Sequence, residues 1–159
     1  HVVAGIANPR VDTLGERTFT STVVAFDETN DLAVLRVPGL GASPLPMAPP
    51  DRGTAVAMVG YPLNGPLART PGRLGGTARV LSRDAYGRGP ISRLVTGIRG
   101  SVRPGNSGGP GVDAQGRVRT TVFGRRPQET GGYGVPADLV REVLAKARRA
   151  PVAATDCTR

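Results

Sequence analysis

Tryptophan is absent from the 159 residues, aromatic residues make up only 4%, and histidine, cysteine and lysine occur once each, as His1, Cys157 and Lys146. Each scarcity excludes something. One histidine and one cysteine cannot supply the three or four ligands of an ordinary zinc site, so neither a metal nor any other cofactor is expected. Few aromatics leave no stacking platforms for single-stranded nucleic acid. Nothing approaches 18 consecutive apolar residues, so no membrane-spanning helix lies within this stretch. No signal peptide is visible and the chain opens at His1 rather than Met, which reads as a fragment or processed form. The lone Cys157 reads either as an incidental thiol or, in a secreted protein, as half of a pair whose partner lies elsewhere.

The residues that are plentiful narrow the class. At 38% hydrophobic, the chain carries enough apolar side chains for one packed core, and 23 glycines and 15 prolines favour turns and short strands over long helices. The formal charge of +9 comes from 21 Lys+Arg against 12 Asp+Glu, and all but one of the cations are arginine. Their scatter, without interleaved aromatics, favours a solvated basic surface over a nucleic-acid groove; acidic partners are the third reading.

Six runs read as strands: Thr18–Asp27, Leu32–Val37, Thr54–Tyr61, and the segments GTARVLSR (76–83), RLVTGIRGSV (93–102) and GRVRTTVFG (116–124). With no helical pattern between them they predict an all-β barrel or sandwich. A single helix is expected over Pro136–Arg149, where Val140, Val143, Leu144 and Ala147 fall at helical spacing and Pro136 suits the first position. The proline-rich stretch 38–53 reads as an interdomain-type connection or an irregular surface loop, and no internal repeat is evident.

The segment GNSGGP (105–110) poses the chemical question. A serine hydroxyl needs a base to take its proton and donors to hold the oxyanion it creates on a carbonyl. Glycines around Ser107 allow a tight turn in which the amides of Gly105 and Ser107 point at one oxygen, while Gly108 and Gly109 leave room for a substrate. The competing reading is a plain Gly/Pro turn. Asp31 opens the apolar strand DLAVLRV, where a carboxylate would be shielded and in need of a cationic partner, or else it is a turn or cap residue after Thr29-Asn30. His1 supplies the only imidazole; it reads as a tag remnant in isolation, but with Val2-Val3-Ala4-Gly5 as the head of a short helical turn or strand end. In chain order the three are His, Asp, Ser, the order of the chymotrypsin fold.

The motifs HVVAG, DLAVLRV, VAMVGYP and GNSGGP resemble those of trypsin-fold bacterial serine proteases of the chymotrypsin-like S1 family, the wider group that includes the HtrA enzymes. HVVAG, MVGYP, GIRGSVRPGNSGGP, VFG and the cysteine near the C-terminus are most similar to the membrane-anchored periplasmic acid-resistance proteases of mycobacteria and their actinobacterial relatives. The resemblance implies a two-barrel fold with a C-terminal helix. Residues 1–45 would be the remainder of an N-terminal barrel, 46–135 a C-terminal barrel, and 136–159 helix and tail. It implies that His1 is the general base and acid, that Asp31 orients it, and that Ser107 is the nucleophile. Thr121, Val122, Phe123 and Gly124 would pair with a substrate backbone as an added strand. It also implies a periplasmic or extracytoplasmic location, membrane association only through segments absent here, and an upstream segment that completes the first barrel and carries a cysteine for Cys157.

On that basis a chain opening at His1 is expected to be weakly active or inactive alone, its terminal ammonium disfavouring protonation of the ring. Ser101, six residues before the nucleophile, would form the neutral base of the specificity pocket. Arg99 and Arg103 would discourage cationic side chains, so cleavage is expected after small-to-medium apolar residues, with Phe123-Gly124 and Gly132-Tyr133-Gly134 as walls. Gly111, where relatives carry an apolar residue, has no explanation in the sequence. The function expected is that of a serine endopeptidase with a stress or acid-resistance role; the alternative is a catalytically silent peptide-binding module of the same fold.

Overall fold

A computed structural model describes all residues except 16, 127–129, 149, 153 and 155–159. Among the described residues, ten strands and one α-helix follow in the order β1 (Arg10–Asp12), β2 (Thr18–Thr20), β3 (Thr22–Asp27), β4 (Leu32–Arg36), β5 (Ala55–Gly60), β6 (Ala68–Ser82), β7 (Ile91–Gly100), β8 (Pro110–Val112), β9 (Val118–Arg125), β10 (Gly132–Pro136) and α1 (Ala137–Ala145). The chain divides into two compact units. One comprises residues 1–44, 83–91 and 142–159; the other comprises 45–82 and 92–141. A linear division at 45/46 and 135/136 does not anticipate this interleaving.

In the first unit β1 pairs with β2 and β3 with β4, both antiparallel. Val23, Val24 and Ala25 are buried along β3, and the β3 backbone is extended by later chain: the amides of Arg148 and Val152 donate to the carbonyls of Val24 and Val23, each at 2.9 Å. Phe26 and Tyr86 meet with ring centroids 5.7 Å apart. The expected single strand 18–27 is broken at Ser21, whose buried hydroxyl donates to the Pro9 carbonyl at 2.6 Å.

The second unit is a closed six-stranded barrel in the order β10-β7-β6-β5-β8-β9. Its core is Val56, Met58, Leu74, Ile98, Val102 and Val122. Each such side chain, fully buried, contributes roughly 1.5–3 kcal/mol by removal from water. β6 starts at Ala68, eight residues before the expected segment, and runs through Pro71 and Gly72. Those residues read as breakers in sequence, yet a strand bending round a barrel accepts both. The stretch before β5 is irregular, as expected, but Pro46 and Ala48 hydrogen-bond with Val118 and so fasten it to β9. The helix is shorter than expected: Pro136 ends β10, and of the apolar stripe Val143 is buried while Leu144 is 48% exposed.

Candidate active site

In the first unit, β3 and β4 form a hairpin whose last pair is Asp27 with Leu32. The Asp27 carboxylate accepts hydrogen bonds from the Asn30 amide at 2.9 Å and from its side-chain nitrogen at 2.7 Å, and this fixes the turn. Asp31 then takes a left-handed backbone, φ 58°, a conformation that aspartate adopts more readily than most residues. It thereby places its carboxylate against His1: Nδ1 of the ring lies 2.6 Å from Oδ2, and the His1 backbone nitrogen contacts Oδ1. The Asp31 side chain is 5% exposed and that of His1 42%, a buried anion facing an accessible imidazole. Residues 1–6 turn helically, with the Ala4 amide on the His1 carbonyl and the Ile6 amide on that of Val3, and the Gly5 amide is held by the Ala154 carbonyl at 2.8 Å. A carboxylate at Nδ1 favours the tautomer protonated there and leaves the Nε2 lone pair for another proton.

In the second unit, Ser107 lies on the turn between β7 and β8. Asn106, almost fully buried, pins that turn: its Oδ1 accepts the Arg103 amide at 2.9 Å and its own amide donates to the Arg103 carbonyl at 3.0 Å. Gly105 has φ +89°, and a Cβ there would stand 2.1 Å from the Tyr61 carbonyl oxygen. Only glycine fits both the conformation and the space. The amides of Tyr61 and Leu63 in turn donate to the carbonyls of Gly105 and Pro104, at 3.2 and 2.7 Å. The amides of Asn106, Gly108 and Gly109 are all spent on backbone carbonyls. Those of Gly105 and Ser107 have no partner among the described residues. Among the described residues the Ser107 hydroxyl reaches only the Phe123 carbonyl, at a long 3.5 Å, and so is weakly held.

Of the two glycines after the serine, Gly109 departs from the sequence expectation. A Cβ at Gly108 would meet open space, whereas one at Gly109 would stand 2.2 Å from the Val59 carbonyl oxygen, so Gly109 serves close packing on β5 rather than substrate access. Gly111 also gains an explanation, since the methyl of buried Thr120 lies 2.9 Å from where its Cβ would be.

A cleft of about 220 Å³ opens beside Ser107, lined by Val102, Arg103, Pro104, Gly124 and Arg125. Ser101 is not on its wall; it is exposed and its hydroxyl accepts from Arg103 Nε at 3.2 Å. Gly132 packs behind the wall, where a Cβ would stand within 3 Å of the Gly124 carbonyl and the Val102 methyls. Along β9, Thr121 is paired with Pro110 on one side and Val135 on the other, and Val122 exchanges hydrogen bonds with Gly108 and Gly109. Phe123 and Gly124 lie beyond the β8 pairing and so retain a backbone edge on the Ser107 side. The Phe123 ring is not a free wall. It is sandwiched between the Arg93 guanidinium, 4.0 Å from its centroid, and Tyr133 at 6.3 Å, with Arg126 over Tyr133. Cys157 lies outside the described residues.

The roles of Asn106, the 61–63 turn, Arg93 and Arg125 are not apparent from the sequence. For Asn106 the signal was its place inside a glycine turn, where a short amide bonds local backbone. For Arg93 the scatter of twenty arginines concealed one that is buried.

The sequence profile of the trypsin-like peptidase domain matches residues 1–119. The chain belongs to that family. Serine protease Rv3671c of Mycobacterium tuberculosis is 39% identical over 150 residues, covering 92% of this chain. Protease Do-like 1, chloroplastic, of Arabidopsis thaliana is 32% identical over 153 residues, covering 91% of it. The active form of Rv3671c protease in its crystal structure matches with a TM-score of 0.83 at 37% identity, over 90% of this chain and 65% of that one. This trypsin-like peptidase domain therefore has the all-β trypsin-like fold expected from its motifs, closed by a helix. It spans 38% of the length of the curated mycobacterial relative and 34% of the chloroplast one.

Proposed function

We propose that the protein is a serine endopeptidase in which His1, Asp31 and Ser107 act as the triad. The observation that carries this reading is the serine turn itself: a weakly held hydroxyl next to two backbone amides with no partner among the described residues. The only imidazole, its Nδ1 bonded to a buried carboxylate, supplies the matching base. In the reaction His1 Nε2 takes the Ser107 proton as Oγ bonds to the peptide carbonyl carbon, and the amides of Gly105 and Ser107 hold the resulting oxyanion. Each donor is worth about 3 kcal/mol. His1 then returns the proton to the departing amine, and water releases the acyl group by the same steps. Asp31 keeps the ring in its tautomer and stabilises the imidazolium. The unpaired edge at Phe123-Gly124 supports addition of a substrate strand there, a narrower segment than 121–124.

The same proposal covers setting and partners. The substrate is a peptide or protein. The location is extracytoplasmic and the role one of stress or acid resistance, on the motif resemblance. An upstream segment of the same protein is proposed to complete the first barrel and to pair a cysteine with Cys157. Hydrolysis of a fluorogenic peptide by the intact protein and by Ser107→Ala tests the activity. The variant is expected to lose at least about 10⁴-fold in kcat/KM. Equal rates would refute a serine mechanism, and a wild type that binds peptides without cleaving them would identify the silent module.

A further inference from the structure

The cleft beside Ser107 combines an apolar wall with two arginines. Val102, Pro104 and Gly124 offer a surface for a short aliphatic stem, and Arg103 and Arg125 stand on the same lining with their side chains exposed. Neither guanidinium has a carboxylate partner among the described residues: Arg103 Nε donates to the neutral Ser101 hydroxyl, and Arg125 makes no ion pair. Elsewhere in the chain arginines near a carboxylate do pair, as Arg88, Arg117, Arg119 and Arg141 all do. Two such cations bounding one cleft create a field that repels lysine or arginine and attracts an anion. The guanidinium fork fits a carboxylate with paired hydrogen bonds.

We infer that the cleft selects an acidic side chain, glutamate before aspartate, on the residue whose carbonyl Ser107 attacks, with Arg103 and Arg125 as the specificity-determining residues. This rests on the peptidase reading and replaces the expected preference for a small-to-medium apolar residue. Glutamate is favoured over aspartate because its longer stem spans the Val102–Pro104 wall before the carboxylate reaches the rim. Both arginines are exposed, so the selectivity is modest and sensitive to salt.

The test is a set of C-terminally blocked fluorogenic peptides differing only at that residue, as Glu, Gln, Leu or Lys, assayed with the intact protein at low and high salt. Because Glu and Gln are nearly the same shape, their ratio isolates charge. The expected kcat/KM ratio of Glu to Gln is about tenfold at low salt. It should shrink with added salt, approach unity in Arg103→Gln/Arg125→Gln, and persist in Arg125→Lys. A ratio of one in the wild type, or Leu cleaved faster than Glu, overturns the inference and leaves the peptidase reading standing. Uncleaved, amidated Glu and Gln peptides titrated onto Ser107→Ala separate recognition from turnover. Tighter binding of Glu without hydrolysis by the wild type would support the recognition and sink the peptidase reading. Absence of both would sink the two together.

Discussion

Two buried aspartates, each beside a hairpin turn and one in each unit, have opposite surroundings. Asp113 is surrounded by donors: the amides of Gln115 and Arg117 on one oxygen, and the guanidiniums of Arg117 and Arg119 on the other. Arg119 also reaches the Pro49 carbonyl and Asp51, which ties the proline-rich stretch to the barrel. Asp31 faces an accessible imidazole instead. Guanidinium keeps its charge at any physiological pH, whereas imidazole gains and loses a proton there. The first arrangement can only hold structure together; the second can move a proton. A third turn supplies a control. Residues 84–88, DAYGR, repeat the form of residues 113–117, DAQGR, with the aspartate again accepting the amides two and four residues on and the arginine Nε. Local sequence sets this turn, and the added Arg119 makes only the second one a buried clamp.

The largest separation should appear between Asp31→Asn and Asp113→Asn. Asparagine at 31 would favour the wrong ring tautomer and is expected to lower kcat/KM about 10⁴-fold with little change in melting temperature. Asparagine at 113 should do the reverse, and peptide hydrolysis together with thermal melts would measure both. Next comes the acid limb. Burial pushes the Asp113 carboxyl up, but the amide and guanidinium hydrogen bonds outweigh it and hold it far below the usual carboxylate range. Its folded value is depressed, so its contribution is complete above the unfolded value of about 4 and is lost as pH falls below that. The melting temperatures of wild type and Asp113→Asn should therefore differ most near neutrality and converge toward pH 2. Asp84 is likewise held down against the effect of burial by Arg88 and Tyr86, but it lacks a second guanidinium, so Asp84→Asn should lower the melting temperature less than Asp113→Asn. Smallest of all is Arg117→Gln: its partly exposed bridge is expected to be worth less than about 1 kcal/mol in denaturant melts, and Arg119→Gln more.

How much of this was legible in the sequence follows from where each signal originates. The β-branched runs of β3, β4, β5 and β9 announce themselves, as does the helix, because propensity and burial agree there. β1, β8 and β10 do not: Gly132-Tyr133-Gly134-Val135-Pro136 becomes a strand only because β7 and β9 lie on either side of it. Ser107 and its glycines were visible as a local motif. The cleft was not, since Arg103 and Arg125 are 22 positions apart and their meeting depends on barrel closure. Counting from the serine points to Ser101 as the pocket base, but Ser101 does not line the cleft and its hydroxyl accepts from Arg103. Arg93 and Arg119 were read among scattered surface cations and are buried, each compensated by tertiary neighbours that no local window contains.

The central claim is that a proton passes from the Ser107 hydroxyl to His1. Reaction of the intact protein with a fluorophosphonate, mapped by mass spectrometry, tests it most directly. A single adduct on Ser107, forming at least about a hundredfold more slowly in His1→Ala, is the expected result. An adduct elsewhere, or Ser107 labelled equally fast without the imidazole, would contradict it.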